Sequence, residues 1–214
     1  MSDDKDVLKS GTTTAAIVCK DGIVMCADMR VTYGYLISYK RFEKILKITD
    51  DIAVTVAGTV SDVQLLAKLI RAELKLKIIR TKRELYVKEA VNLLANMVYY
   101  NIRKMSLIPG ISHFIVGGRD STGYHVYDLG ADGSITKVDD YCSSGSGSVM
   151  AYGVFETLYK RDLSVEEGVK LGVKAVNAAI QRDIASGDGI NVVTITKEGV
   201  QTVLTKEVNY KIEV

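Results

Sequence analysis

Two stretches near the start of the chain, "TTTAAIVCK" (Thr12 to Lys20) and "IVMCADM" (Ile23 to Met29), are separated only by Asp21-Gly22. Asp-Gly supplies the positive φ angles of a tight turn, so the two stretches read as a hairpin. Within them, "AAIV" and "IVMCA" are apolar on both faces, and so is "INVV" (Ile190 to Val193) far along the chain. A strand of that kind must be covered on both sides, which demands a sheet sandwiched between layers.

The remaining patterns say what those layers are. "YLISY", "ILKIT" and "IAVTVAG" are strand candidates between Tyr35 and Gly58. The period then changes: Val63, Leu66, Ile70, Leu74 and Ile78 mark an amphipathic helix with Ser61 or Asp62 near its cap. A second helix carries Val87, Val91, Leu94, Val98 and Ile102 on one face. Strands return in "SHFIVGG", "YHVYDLG" and "ITKVDDY". A third helix is expected around Tyr152 to Tyr159 and a fourth from Ser164, where Glu167 completes a capping box. The inward face of this last helix would be Val165, Val169, Val173, Val176 and Ile180. "INVVTITKEGVQTVLT" closes the chain as a hairpin. Strands, two helices, strands, two helices, strands make an α+β fold: a four-layer αββα sandwich of two antiparallel sheets flanked by helices. The 214 residues suit one domain, and no repeat is visible.

Several function classes lose support at this level. The net charge of +2 gives no electrostatic argument for nucleic acid or anionic lipid. No apolar run approaches the roughly 18 residues of a membrane span. The opening "MSDDKDVLKS" has three aspartates and no apolar block, so no secretory signal is expected and the cytoplasm is the expected compartment. Cys19, Cys26 and Cys142 have neither a paired framework nor metal-ligand spacing, so they read as small buried apolar residues. His113 and His125 lie in strand-like stretches with no acid or nucleophile pattern beside them, leaving little material for a histidine-based nucleophile. No metal or organic cofactor is implied.

The glycine-rich "SSGSGSVMAYG" (Ser143 to Gly153) joins a strand to a helix, but Met150 occupies the third glycine position of a dinucleotide fingerprint and no G-K-[ST] occurs. A turn exposing hydroxyls and N–H groups fits better. Asp28 ends an apolar strand, where a carboxylate needs a partner or must neutralise. Arg30, on the same strand face, could supply that partner, and Lys44 in "RFEKILKI" could simply reach solvent. Gly58 in "VAGT" could offer an oxyanion donor or merely turn the chain.

Read together, "GTTT" (11–14), "ADMRVT" (27–32), "FEKI" (42–45), "VAGTVSDVQ" (56–64), "SSGSGSVMAYGVFE" (143–156) and "AIQRDIASGDGI" (179–190) run through nearly the whole chain. In these segments and their order the sequence resembles the β subunits of archaeal 20S proteasomes, which are N-terminal-nucleophile hydrolases. The resemblance implies a threonine endopeptidase that degrades unfolded proteins to peptides, with Thr12 as nucleophile and first residue of the mature chain. Asp28 and Lys44 would complete the activating trio, Gly58 would donate to the oxyanion, and Ser146, Asp183 and Ser186 would support the threonine. Residues 1–11 would be a propeptide removed by autocatalysis between Gly11 and Thr12, leaving 12–214 as the β-type catalytic domain of a zymogen. Val31, Phe42, Leu46, Val56 and Val60 would line an apolar specificity pocket, with Thr32 holding substrate as an added strand. Implied partners are further β subunits in seven-membered rings, α subunits, an ATPase unfoldase and unfolded polypeptides. The chief alternative is a noncatalytic or unprocessed β-type subunit that depends on a second β subunit. A noncatalytic shell subunit, a bacterial-type two-ring protease and a nucleotide-binding module fit the residues less well.

The chemistry agrees with these residue types. A threonine hydroxyl is a weak nucleophile, but an N-terminal threonine carries its own base, an α-amine of pKa about 7.7–8.0. A nearby lysine disfavours protonation of that amine and stabilises negative charge on the threonine oxygen, while a carboxylate holds the lysine. The amine exists only once the preceding bond is cut, and glycine at that position leaves the attack uncrowded.

Overall fold

The computed structural model describes residues 11–107 and 109–208. Strands β1 (Thr14–Cys19) and β2 (Gly22–Asp28) pair as the expected hairpin, but about Lys20-Asp21: Gly22 already stands in β2 opposite Cys19, and neither Asp21 nor Gly22 takes the positive φ expected of an Asp-Gly turn. β3 (Val31–Tyr33) and β4 (Leu36–Tyr39) form a small separate ribbon, followed by β5 (Ile45–Lys47) and β6 (Ile52–Gly58). Helices α1 (Val60–Thr81) and α2 (Val87–Arg103) come next, then β7 (Ser112–Asp120), β8 (Gly123–Leu129), β9 (Ile135–Val138) and β10 (Tyr141–Ser144). The chain continues through α3 (Ser148–Leu158), α4 (Val165–Ile180), β11 (Gly189–Thr196) and β12 (Gly199–Glu207).

The strands form two five-stranded antiparallel sheets, ordered β10-β1-β2-β11-β12 and β5-β6-β7-β8-β9. Their facing surfaces meet through Ala16, Ile23, Met25, Ala27, Ile115 and Val126. The opposite face of β1 and β2, with Ala15, Ile17, Val24 and Cys26, packs under α3 and α4 through Phe155, Leu171 and Val176. On the other side, Val54, Val56, Phe114 and Val116 meet Leu66, Ile70, Leu94 and Val98 of α1 and α2. The uninterrupted apolar runs are thereby explained: successive residues of β1 and β2 face a sheet and then a helix pair, and all seven positions of β2 are buried.

Three local expectations need correction. α1 begins at Val60 behind Thr59, so Asp62 lies in its first turn rather than at its cap, and Ile78 is 40% exposed. α3 begins at Ser148, earlier than its apolar pattern suggests, because the glycine-rich turn feeds straight into it. The buried face of α4 is Gly168, Leu171, Gly172, Ala175, Val176 and Ala179, while Val165, Val169, Val173 and Ile180 are only half-buried. The reason is close approach: a Cβ on Gly172 would lie 2.3 Å from Cys26 Sγ, and one on Gly168 2.6 Å from Cys19 Sγ. The smallest residues therefore sit over the strands.

The capping box of α4 is complete. Glu167 N–H donates to Ser164 Oγ at 3.3 Å and Ser164 N–H to Glu167 Oε2 at 2.9 Å. Ser164→Ala is expected to cost about 1 kcal/mol, read as a lowered urea midpoint with unchanged slope.

Candidate active site

The ends of the central strands assemble the site. Asp28 terminates β2 opposite Ile190 of β11 and is fully buried. Its Oδ1 accepts from Lys44 Nζ at 2.7 Å and from Thr13 N–H at 2.9 Å. Its Oδ2 accepts from the Arg30 and Gly187 N–H groups, both at 3.0 Å. Four donors replace the water this carboxylate has lost, which is what keeps a buried charge tolerable.

Lys44, just ahead of β5, is 2% exposed. Burial pushes its pKa down, the Asp28 carboxylate draws it part of the way back, and the more distant Arg30 lowers it again. The result is an amine held in place by one charged partner and poised to give up its proton more readily than an ordinary lysine.

Thr12 directly precedes Thr13 and β1, and its side of the site is held by hydroxyls. Its N–H, here an amide joined to Gly11, donates to Ser146 Oγ at 3.2 Å, and its carbonyl accepts from Gly147 N–H at 3.3 Å. Ser146 Oγ donates to Asp183 Oδ2 at 2.6 Å, and Ser186 Oγ donates to the same oxygen at 2.6 Å. Since Ser186 spends its one proton there, the 2.6 Å contact between Thr13 and Ser186 hydroxyls has Thr13 as donor. Gly145, at φ +94°, lies so close to Thr12 that a Cβ would fall 2.0 Å from its carbonyl oxygen. The "GSGS" turn thus cradles the Thr12 backbone rather than a phosphate.

A small recess brings Gly11, Thr12, Lys44 and Gly58 to one surface, walled by Val31, Phe42, Val56 and Val60. Gly58 ends β6 with φ +118°, and a Cβ there would meet the Ile111 carbonyl oxygen at 2.3 Å. Thr32 Oγ1 accepts from Gly11 N–H at 3.2 Å and lines an adjoining groove with Tyr33, Tyr39 and Gln64. Leu46 is not among the residues lining the recess; it is half-buried against the α1–α2 core.

Several contacts were not foreseen. Arg30 does not pair with Asp28 through its side chain: all four acceptor positions of Asp28 are occupied, and the guanidinium turns to Asp188 at 2.7 Å and the Ile184 carbonyl at 2.9 Å. Asp188 in "SGDG" carried a visible opposite charge, but 158 residues of chain separated the two. Gly187 and Thr13 act through backbone or a short hydroxyl, which leaves little trace in sequence. The histidines do find acids, brought across the β7–β8 ladder: His113 meets Asp128 at 2.5 Å, and His125 lies 3.3 Å from Asp120. Neither histidine lines the recess. The cysteines are free and buried, and burial pushes the Cys19 thiol up to about 12. Among the described residues no cluster of His, Cys, Asp and Glu could hold a metal, and no helix is long and apolar enough to cross a membrane.

Two face-to-face antiparallel sheets between helical layers, with a threonine at the head of a central strand, define an α+β sandwich of the N-terminal-nucleophile type. A family model described as "Proteasome subunit" matches residues 8–195. The chain is 42% identical to "Proteasome subunit beta" of Ferroglobus placidus over 90% of each sequence. It is 40% identical to the protein of the same name from Archaeoglobus profundus, over 96% of this chain and 94% of that one. To "Proteasome subunit beta 2" of Pyrococcus abyssi it is 43% identical over 88% of each. The chain belongs to the proteasome subunit family.

Proposed function

We propose that this chain is the threonine endopeptidase subunit of a proteasome core particle and that it matures by cutting its own Gly11–Thr12 bond. The observation that carries this reading is the shared recess of Thr12, Lys44 and Gly58, with Lys44 held by the buried Asp28. In the precursor, Thr12 Oγ attacks the Gly11 carbonyl carbon, the peptide bond gives way to an ester, and the α-amine of Thr12 is released. Water then hydrolyses the ester and frees the propeptide, whose residues 1–10 lie outside the described residues. Gly11 suits this step: a Cβ there would fall 1.8 Å from Ala185 Cβ and 2.7 Å from Ser146 Oγ, so a larger residue would drive the scissile bond out of its seat.

In the mature enzyme the freed amine takes the hydroxyl proton as Thr12 attacks a substrate carbonyl and returns it to the leaving amine, and water then hydrolyses the Thr12 ester to release the acid and restore the hydroxyl. Lys44 opposes the charge developing on the threonine oxygen, and Gly58 N–H serves the oxyanion. Ser146, with its proton committed to Asp183, accepts from the Thr12 nitrogen and orients it. The uncharged wall of Val31, Phe42, Val56 and Val60 favours cleavage after apolar residues, with Thr32 aligning the substrate strand. Tyr35, Leu36, Met105 and Leu107 are large apolar side chains left exposed on the single chain, which supports their being covered in an assembly. We assign that assembly as seven-membered β rings stacked on α subunits in the cytoplasm, served by an ATPase unfoldase that delivers unfolded polypeptides.

Intact mass spectrometry of the assembled particle tests maturation. The expected chain begins at Thr12; a particle that hydrolyses peptides while retaining residues 1–11 would overturn the proposal.

A further inference from the structure

Linked by contacts to the Gly58 corner of the recess is a polar group that the proposed reaction does not use. Asn101, in the last turn of α2, is 7% exposed. Its Nδ2 donates to the Gly110 carbonyl at 2.9 Å and to Asp62 Oδ1, in the first turn of α1, at 3.1 Å. Its Oδ1 accepts from Lys104 Nζ at 2.8 Å, and that ammonium lies 3.4 Å from Asp62 Oδ1. Both N–H donors of one buried amide, and one acceptor position of its oxygen, are therefore spent tying three segments together.

The third of those segments carries the consequence. Gly110 is the middle of a tight turn in which Ile111 N–H donates to the Pro109 carbonyl at 3.0 Å. The Ile111 carbonyl in turn accepts from Thr59 N–H at 2.9 Å and is the atom against which Gly58 is packed. Ser112 stands directly opposite Gly58 in the β6–β7 ladder. A line of contacts thus runs from the Asn101 amide through the Gly110–Ile111 turn to the Gly58–Thr59 corner of the recess.

We propose that Asn101 is a positioning residue for peptide hydrolysis: by holding the Gly110 carbonyl it sets the Ile111 carbonyl, and through it the backbone of Gly58. This rests on the reading of Gly58 as oxyanion donor. A donor aimed at a developing charge acts through its placement, and a displacement of about 1 Å can cost on the order of a hundredfold. The close seat of Gly110 agrees: a Cβ there would lie 2.4 Å from Asn101 Nδ2, so the turn and the amide are shaped to each other.

Asn101→Leu keeps approximate volume and removes the amide. The expected result is a 10- to 100-fold lower kcat for a peptide substrate, KM within about twofold, and a mature N-terminus at Thr12. A peptide aldehyde, whose adduct with Thr12 places an oxyanion at Gly58, should weaken by a similar factor. The matching peptide alcohol, which forms no adduct, should bind unchanged. Gly110→Ala displaces the same contact from the other side and should give the same pattern, so the proposal stands or falls on it if Asn101→Leu does not assemble. Unchanged kcat in an assembled variant overturns the proposal, as does equal weakening of aldehyde and alcohol. If instead the wild-type particle fails to form an adduct with the aldehyde, the threonine mechanism itself has failed.

Discussion

Thr12→Ala is expected to abolish peptide hydrolysis, by about a thousandfold or more, and to leave residues 1–11 attached. Both losses follow from one atom. The Thr12 hydroxyl is the proposed nucleophile toward Gly11 and toward substrate, and the nearby hydroxyls of Thr13, Ser146 and Ser186 are already committed to one another and to Asp183. The variant should fold, because the Thr12 backbone keeps its contacts to Ser146 and Gly147. Peptide turnover and intact mass on one preparation check the pairing. A processed Thr12→Ala chain, or one with retained activity, would sink the mechanism.

The second large effect concerns the buried ion pair. Asp28→Ala strips the partner from the Lys44 ammonium and from three backbone N–H groups at once. Breaking a buried pair in this way costs about 3–5 kcal/mol, so the variant is expected to unfold at markedly lower denaturant. Lys44→Met should cost less: the methionine fills much of the buried space of the lysine stem, and Asp28 keeps its three backbone donors. Both should be inactive, so stability and activity separate the two residues. Denaturation of the two variants beside the wild type gives the order; Asp28→Ala as stable as Lys44→Met would show that the backbone donors contribute little. Lys44 also sets a pH dependence. Folding lowers its pKa from 10.5, so between the lowered value and 10.5 the unfolded chain binds more protons. Wild-type stability relative to Lys44→Met therefore rises with pH through that alkaline window, and below it the full burial penalty is present.

The layered fold was legible because apolar runs without alternation have few solutions, and the order of periods named the layers. The α4 face was misread because hydrophobic size is a poor guide where a helix lies close to strands: Gly168 and Gly172 do the packing that the valines seemed to promise. At the site, the resemblance named Thr12, Lys44, Gly58, Val31, Phe42, Val56 and Val60, which line one recess, but also Leu46, which does not, and the partners of these residues were hidden. Arg30 looked like the natural mate of Asp28 two positions away, yet it crosses to Asp188. Gly187 acts through a backbone N–H, and Asn101 through two helices and a turn, so neither has a side-chain pattern that spacing reveals.

The route of the chain through the site has a temporal consequence. Thr13 at the head of β1 bonds Ser186, and Asp28 takes one of its four hydrogen bonds from Gly187, which leads into β11. β11 is itself an interior strand of its sheet, between β2 and β12. Thr13 and Asp28 are therefore synthesised well before Ser186 and Gly187, the partners that complete their surroundings. Until those partners have emerged, the proposed nucleophile Thr12 is an ordinary threonine ahead of an unfinished strand. In the proposed mechanism its chemistry waits first for the later hairpin and then for cleavage of the Gly11–Thr12 bond, so the direction of translation sets the earliest moment at which it can act.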